Sequence, residues 1–217
     1  LAAQMVAGGD IGEVRHFEAA YLQSWLTQPA WGDWRSEQQW LWRLSKAHGS
    51  TGVLGDVGVH ILDYATFVAD AAALSCRLTT FDKVPGGRIG DYVLDANDTF
   101  NMHLRLTNGA VGVIHASRMA TGHFNDLSLR IFGTRGGLDV RFKNNVSRLR
   151  ACTGDDMLQA IWQEVELPEI DTNYARFIAA IRDGRQASPD FARGAVLQSA
   201  LDRAVQSDAQ GCCDLIV

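Results

Sequence analysis

The feature that most constrains the fold is a series of segments between residues 99 and 151 in which apolar and polar residues alternate. In residues 99–106, "TFNMHLRL", four apolar side chains alternate with four polar ones, as in a strand with one buried face. Asn108-Gly109 is a typical hairpin turn and leads into a second predicted strand at 110–118. Further strands are predicted near 126–133, 137–142 and 146–151. Short turns between successive strands favour an antiparallel sheet.

Helical patterns and two more strands flank this region. Residues 11–25 have the β-branched and aromatic content of a strand, and apolar residues recur every three or four positions from Leu54 to about Val68. Near the C-terminus, Asp171 or Thr172 caps a predicted helix that stops at Gly184, Ser188-Pro189 opens another, and "CCDLIV" predicts a last strand. We therefore predict one α+β domain over residues 1–217, with a largely antiparallel open sheet and helices packed on one face.

Composition limits the possible partners. The chain has 217 residues, 47% of them hydrophobic, and 25 acidic against 20 basic side chains give a net charge of −5. The sequence lacks the basic face of a nucleic-acid-binding protein and an apolar run long enough to cross a membrane. Four cysteines without metal-ligand or disulfide-framework spacing favour a reducing cytoplasm, and the first residues do not resemble a signal peptide. A small polar ligand fits this composition best.

Glycine spacing excludes one kind of site. No two of the 21 glycines are separated by a single residue, so the dinucleotide fingerprint G-x-G-x-x-G does not occur. The phosphate loop G-x-x-x-x-G-K-[ST] is missing as well. We therefore predict no cofactor-binding residues of the usual kind in these 217 residues.

The segment "GSTGVLGDVGVH", residues 49–60, carries the strongest chemical signal, because Asp56, His60 and the nearby Asp63 fall on one face of a helix. Asp56 can accept a proton from one ring nitrogen of His60 and leave the other nitrogen free as a base. Gly52 and Gly55 would let a ligand or cofactor approach the backbone closely. Two other interpretations stay open: a helix cap with a core histidine, and a metal site formed by the two carboxylates and the imidazole.

A second candidate site is the aromatic stretch around residues 26–48. Five of the six tryptophans lie in it or directly before it. They are Trp25, Trp31, Trp34, Trp40 and Trp42. The sequence alone leaves two interpretations open, stacking on a ligand and filling a gap in the core.

These residues resemble a known family. Trp42-Arg43 followed by residues 49–63 is similar to the substrate-domain signature of the Gfo/Idh/MocA oxidoreductases, which are named for glucose-fructose oxidoreductase and inositol dehydrogenase. Residues 8–21, 131–140 and 173–207 resemble other parts of the same domain. The resemblance implies that the chain is a C-terminal substrate-binding and oligomerisation domain. The N-terminal Rossmann domain, which binds NAD or NADP and supplies a catalytic lysine, is absent from these residues.

The resemblance also implies roles for individual residues. His60 would be the catalytic acid/base on the substrate hydroxyl and Asp56 its partner, while Arg43, Trp42, Lys46 and Asp63 would line the substrate pocket, without a metal. The parent would be a dehydrogenase acting on a sugar, cyclitol or related polyol, and the chain alone would be inactive. A homodimer or homotetramer would form through the sheet.

Two other functions remain as alternatives. One is a non-catalytic regulator of the same fold that senses a sugar or a nucleotide. The other is a metal-dependent hydrolase that works without a nicotinamide cofactor. The presence of both Asp56 and His60 favours the dehydrogenase, because a sensor has no need of a poised base.

Overall fold

A computed structural model describes residues 1–29 and 31–217. The α-helices are α1 (Ala2–Gly8), α2 (Gln38–Leu41), α3 (Val59–Ala65), α4 (Asn173–Asp183) and α5 (Phe191–Ala209), and a π-helical turn, Leu54–Gly58, runs directly into α3. Short 3₁₀ turns cover Trp42–Leu44, Lys46–His48, Pro85–Gly87 and Gly154–Gln159. The strands are β1 (Val14–Leu22), β2 (Ala71–Thr79), β3 (Arg88–Ile89), β4 (Tyr92–Val93), β5 (Thr99–Leu106), β6 (Val111–Ser117), β7 (Asp126–Gly133), β8 (Gly136–Lys143), β9 (Val146–Thr153), β10 (Gln163–Glu164) and β11 (Leu215–Ile216).

The described residues form one large open sheet of nine strands, in the order β10-β9-β8-β7-β1-β6-β5-β2-β11. Its neighbouring strands are antiparallel except for the pair β1 and β6. The predicted α+β fold with a largely antiparallel open sheet is therefore confirmed. The alternating segment at 99–106 is β5, and its apolar residues face the core while its polar ones face outward.

Two features of the sheet go beyond the sequence prediction. Strand β2 was not predicted, because its three leading alanines hide the alternation of Leu74, Cys76 and Leu78 with polar neighbours. The parallel pairing of β1 with β6 joins residues almost a hundred positions apart, so no local pattern reports it. Gly112 permits this pairing, since a Cβ there would lie 2.3 Å from the carbonyl oxygen of Phe17.

Helices cover one face of the sheet and enclose the main core. Helix α5 packs on β2, and α3 packs on β1, β6 and α5. On α5, Leu197, Ala200, Leu201 and Ala204 are buried on the side that faces the sheet, whereas Val205 is exposed. No helix among the described residues is both long enough and apolar enough to traverse a bilayer.

The opposite face of the sheet carries ion pairs. Arg130 on β7 pairs with Glu18 on β1, and Asp139 on β8 accepts hydrogen bonds from Arg141 and Arg150. Burial raises the pKa of Asp139, but the hydrogen bonds from the two guanidinium groups outweigh it and hold that pKa below its ordinary value. This face is therefore polar and charged over the strands β7 to β9.

The tryptophans divide between core and surface. Trp25 and Trp34 are buried in a second, smaller core together with Leu26, Leu41, Leu44 and Leu94. Trp31 and Trp42 are more than one third exposed. Trp40 bridges the two groups, because its ring lies 5.5 Å from that of Trp25 and 6.3 Å from that of Trp31. Trp25 and Trp34 therefore fill the core, whereas Trp31 and Trp42 stay accessible to solvent.

Candidate active site

The candidate active site lies where the carboxyl ends of β1 and β6 meet. Because the two strands are parallel and pair Tyr21 with Ala116, the residues at their ends emerge at the same edge of the sheet. Tyr21 and Gln23 lie at the end of β1, and Arg118 follows β6 directly. The π-helical turn packs against β6, and α3 packs against both strands. The fold thus brings the Asp56–His60 segment to the one parallel seam of the described sheet.

Asn97 fixes the start of this helical segment. Its side-chain oxygen accepts a hydrogen bond from the Leu54 amide at 3.0 Å, and its amide nitrogen donates to the carbonyl of Thr51 at 3.0 Å. Gly52 has a positive φ of 72°, and a Cβ there would lie 2.3 Å from the Asn97 side chain. A Cβ at Gly55 would lie 1.7 Å from the hydroxyl of Thr51. Packing inside the chain therefore accounts for both glycines without a cofactor.

Asp56 is held by a buried arginine. The Nη2 atom of Arg118 donates to Oδ2 of Asp56 at 2.8 Å, and Nη1 donates to the carbonyl of Arg43 at 3.0 Å. The Arg118 guanidinium lies 5.0 Å from the centre of the Trp25 ring. The side chain of Arg118 is fully buried, while that of Asp56 is 33% exposed. The site therefore presents a carboxylate to solvent with its counter-ion behind it.

Burial and the negative charge of Asp56 both act on the pKa values of Arg118 and Tyr21. Burial lowers the pKa of Arg118, and the charge and hydrogen bond of Asp56 act in the opposite direction. Burial also raises the pKa of Tyr21, and the negative charge of Asp56 adds to that effect. Tyr21 is therefore a neutral phenol at physiological pH.

The expected hydrogen bond between Asp56 and His60 is replaced by the bond between Asp56 and Arg118. The predicted hydrogen bond requires a regular α-helix from Leu54. Residues 54–58 instead form a π-helical turn, in which more residues make up each turn. A fully buried guanidinium also needs a counter-charge more than an exposed imidazole does. Asp56 and His60 stay on one helical segment as separate groups.

His60 lies on the solvent side of α3, beside Tyr21. Its side chain is exposed, and its ring centre lies 6.4 Å from that of Tyr21. The Tyr21 hydroxyl donates to Oδ1 of Asn125 at 2.8 Å, and the amide of Gln23 donates to the same oxygen at 2.8 Å. The imidazole therefore stands at the open edge of a surface rich in hydrogen-bonding groups.

The other predicted substrate residues, Trp42, Arg43 and Lys46, lie on the 3₁₀ turns that follow α2. The guanidinium of Arg43 lies 4.6 Å from the centre of the Trp42 ring and donates to the carbonyl of Gln39 at 2.6 Å. Trp42 and Lys46 are exposed. The Arg43 carbonyl accepts from Arg118, so the backbone of this turn is tied to the partner of Asp56. Their roles toward a substrate stay predictions.

Asp63 forms an ion pair with the neighbouring helix α5. Its carboxylate accepts a hydrogen bond from Nε of Arg193 on α5 at 2.8 Å, and the same guanidinium binds Asp70 at 2.7 Å and the hydroxyl of Thr66 at 2.6 Å. These contacts clamp α3 to α5. One α-helical turn beyond His60, Asp63 therefore binds the neighbouring helix, and its role in the substrate pocket stays a prediction.

Sequence reasoning missed Arg118, Tyr21, Gln23 and Asn125. Each lies at the end or start of a strand, and each reaches the site only because β1, β6 and β7 are neighbours in the sheet. The one local signal was the position of Arg118 directly after an alternating strand, where a charged residue is common for other reasons. In residues 1–29 and 31–217, no group of three or more His, Cys, Asp or Glu side chains is arranged to hold a metal ion.

Comparisons with known proteins identify relatives of this chain. A sequence profile described as the GFO/IDH/MocA C-terminal domain matches residues 1–139. Levoglucosan dehydrogenase of Pseudarthrobacter phenanthrenivorans is 26% identical to the chain over 246 aligned positions, which cover 97% of this chain and 61% of that enzyme. The chain thus spans about three fifths of the length of this relative.

Solved structures give the same relationship. Levoglucosan dehydrogenase in complex with NADH and levoglucosan matches with a TM-score of 0.83 and 26% identity, over 100% of this chain and 62% of that one. An oxidoreductase domain protein from Kribbella flavida matches with a TM-score of 0.80 and 26% identity over the same shares of both chains. The profile covers more than half of the chain, and the fold agrees along its whole length. The chain belongs to the GFO/IDH/MocA family and corresponds to the C-terminal domain of its members.

Proposed function

We propose that this chain is the substrate-binding part of a dehydrogenase that uses NAD or NADP to oxidise or reduce a sugar, cyclitol or related polyol. The observation that carries the proposal is an exposed imidazole on the same helical segment as a partly exposed carboxylate that a buried arginine holds in place. His60 and Asp56 project from one helical segment at the open edge of the sheet. Levoglucosan dehydrogenase, a sugar enzyme, supports the substrate class.

The residues of this chain accept the proton of the substrate hydroxyl and orient the substrate. An alcohol must lose its hydroxyl proton as its carbon is oxidised, and an imidazole is suited to take that proton near neutral pH. His60 fills this role, while Asp56 accepts a hydrogen bond from a substrate hydroxyl. The exposed amide group of Asn125 offers a further partner to a polyhydroxylated ligand.

The residues present do not fit a dinucleotide by themselves. The sequence has no glycine-rich turn of the G-x-G-x-x-G type, and the space beside Gly52 and Gly55 is filled by Asn97 and Thr51. We therefore assign NAD or NADP to the part of the protein outside residues 1–217. The cofactor, when bound there, exchanges a hydride with the substrate carbon.

The test is an assay of the protein extended upstream of Leu1. We expect reduction of NAD or NADP with at least one sugar or cyclitol, and no turnover by residues 1–217 alone. A panel of monosaccharides, anhydrosugars and inositols, followed at 340 nm with each cofactor, identifies the substrate. Saturable sugar binding without any turnover would favour the regulator instead.

We also propose that two or four copies associate through the polar face of the sheet. Val111 and Val113 on β6 are 49% and 37% exposed on this face, beside the ion pair of Glu18 and Arg130. A mixture of apolar and paired charged groups is typical of subunit interfaces. Sedimentation at tens of micromolar is the measurement, and a monomer at all concentrations contradicts the assembly.

A further inference from the structure

Helix α4 carries an apolar stripe that the described residues leave largely uncovered. Tyr174, Phe177, Ile178 and Ile181 follow the i, i+3, i+4, i+7 spacing of one helical face. Their exposed fractions are 86%, 63%, 46% and 61%, and no residue of α4 is buried among the described residues. An amphipathic helix normally buries such a stripe, so the helix is built for a partner surface.

Capping contacts fix both ends of α4. The Thr172 hydroxyl accepts a hydrogen bond from the Ala175 amide at 3.1 Å, and Gly184 ends the helix in the left-handed conformation. Arg176 donates to the carbonyl of Ser188 at 2.9 Å and ties the helix to the segment that follows it. A helix of eleven residues is only marginally stable in water without packing, so α4 needs a partner surface against its stripe to be stable.

A cavity lies beside the two ends of α4. This cavity, of about 890 Å³, is lined by Ile170 just before α4 and by Pro189 just after it. Its other walls include Tyr64 and Phe67, at the C-terminal end of α3, and residues 1–3. The cavity, whose walls also carry charged side chains, therefore lies between the ends of α4 and the C-terminal end of α3, the helix that carries His60.

We propose that the stripe on α4 and this cavity together form the docking surface for the cofactor-binding domain. The inference rests on the proposed function. The relatives are longer by nearly two fifths of their length, and levoglucosan dehydrogenase binds NADH. A domain that supplies a nicotinamide to a substrate beside His60 must lie against α3. A domain joined to Leu1 would begin beside the cavity and would cover the stripe in the same position.

Hydrogen–deuterium exchange tests the docking surface directly. The 217-residue chain and the protein extended upstream of Leu1 are compared over peptides that span residues 173–183. We expect exchange in these peptides to be at least about tenfold slower in the extended protein, because docking suppresses local opening of the helix. Phe177→Glu in the extended protein restores fast exchange. Ala179→Glu is the matched control, since it places the same charge on the opposite face of α4.

The outcomes separate this inference from the proposed function. Equal exchange in the two proteins, or equal effects of Phe177→Glu and Ala179→Glu, overturns the docking surface even when the extended protein oxidises sugars. Protection of residues 173–183 in the 217-residue chain that increases with its concentration assigns the stripe to a second copy and also overturns it. Protection that depends on Phe177 in an extended protein without dehydrogenase activity supports the docking surface and contradicts the function.

Discussion

At the scale of single residues, the exposed imidazole of His60 decides whether the site performs proton transfer. We expect His60→Ala in the extended protein to lower kcat at least about a hundredfold, which corresponds to roughly 2.7 kcal/mol of barrier. The affinity for the cofactor should stay near normal, because no dinucleotide-binding groups are changed. Steady-state kinetics and a cofactor titration measure both quantities.

His103→Ala is the matched control for His60→Ala. His103 is exposed on the polar face of β5, on the opposite side of the sheet from α3. We expect this variant to retain wild-type kcat. A folded His60→Ala protein with nearly wild-type turnover would show that another group takes the proton.

The bond between Asp56 and Arg118 predicts a strong energetic coupling. Asp56→Ala leaves a fully buried guanidinium without its counter-ion and should lower the free energy of unfolding by about 1–3 kcal/mol, less than for a wholly buried pair because Asp56 is one third exposed. Arg118→Met removes the charge and the stacking on Trp25. We expect the double variant to be more stable than the sum of the two single effects implies.

Urea denaturation of the four proteins in this cycle measures the coupling. Additive effects within about 0.5 kcal/mol would mean that the two side chains do not depend on each other. Activity gives an independent readout in the extended protein, where Arg118→Met should lower kcat through the altered position of Asp56.

Sequence reasoning found the residues that lie close together in the chain and missed those that the sheet brings together. Asp56 and His60 were predicted from a spacing of four, and the structure places both on one helical segment. Their partners Arg118 and Tyr21 come from two strands whose parallel pairing has no local signature. The contact of Asp63 with Arg193 was not predicted, because helical spacing does not show that α5 approaches that end of α3.

At the scale of secondary structure, the π-helical turn depends on Asn97. Asn97→Ala removes the acceptor for the Leu54 amide and the donor to Thr51, and we expect a loss of about 1–2 kcal/mol in the free energy of unfolding. Asn97→Asp is the matched control, because it keeps the acceptor and loses only the donor. Thermal or urea denaturation ranks the variants, and a loss for Asn97→Ala no larger than for Asn97→Asp contradicts the capping role.

The polar face of the sheet predicts how stability depends on pH. The pKa of Asp139 is lowered in the folded protein, so the folded state resists protonation more than the unfolded chain does. Its stabilisation is therefore complete above the unfolded pKa of about 3.9 and is lost as pH falls through the folded pKa. We expect Asp139→Asn to lower the free energy of unfolding by roughly 1–3 kcal/mol at pH 7 and by less at pH 3.

Urea denaturation at the two pH values measures the effect of Asp139. Glu18→Gln is the control, since the pair of Glu18 and Arg130 is 35% and 49% exposed and should contribute at most about 1 kcal/mol. A constant difference between wild type and Asp139→Asn at pH 7 and pH 3 would mean that the carboxylate charge is not what stabilises the fold.

The elements that followed a clear period were predictable. Strand β5 matches its predicted range of 99–106, and the helix capped by Thr172 and ended by Gly184 is present. Strand β2 was missed because alanine fits both faces of a strand and gives no alternation. The π-helical turn was also missed, since its apolar spacing differs from that of an α-helix by less than one residue per turn.

At the scale of the whole molecule, the exposed stripe of α4 and the glycine pattern lead to the same conclusion about the cofactor. In a Rossmann domain, tight binding of the dinucleotide pyrophosphate requires backbone amides and a helix N-terminus, which a glycine-rich turn after a strand presents. The chain has no G-x-G, and its helical segment at 54–65 begins against Asn97. The part that binds the cofactor is therefore expected to be the part that covers α4.

The assignment of the cofactor site to another part of the protein predicts that residues 1–217 do not bind NAD or NADP measurably, although they keep their fold. Calorimetric titration of the isolated chain with each cofactor up to millimolar concentration is the measurement, and circular dichroism on the same sample confirms the folded state. The extended protein serves as the positive control and should bind one of the two cofactors with a micromolar dissociation constant, or about −8 kcal/mol. Micromolar binding by the isolated chain would place a dinucleotide site on the sheet or on α3, and the assignment of the cofactor to a separate domain would then be wrong.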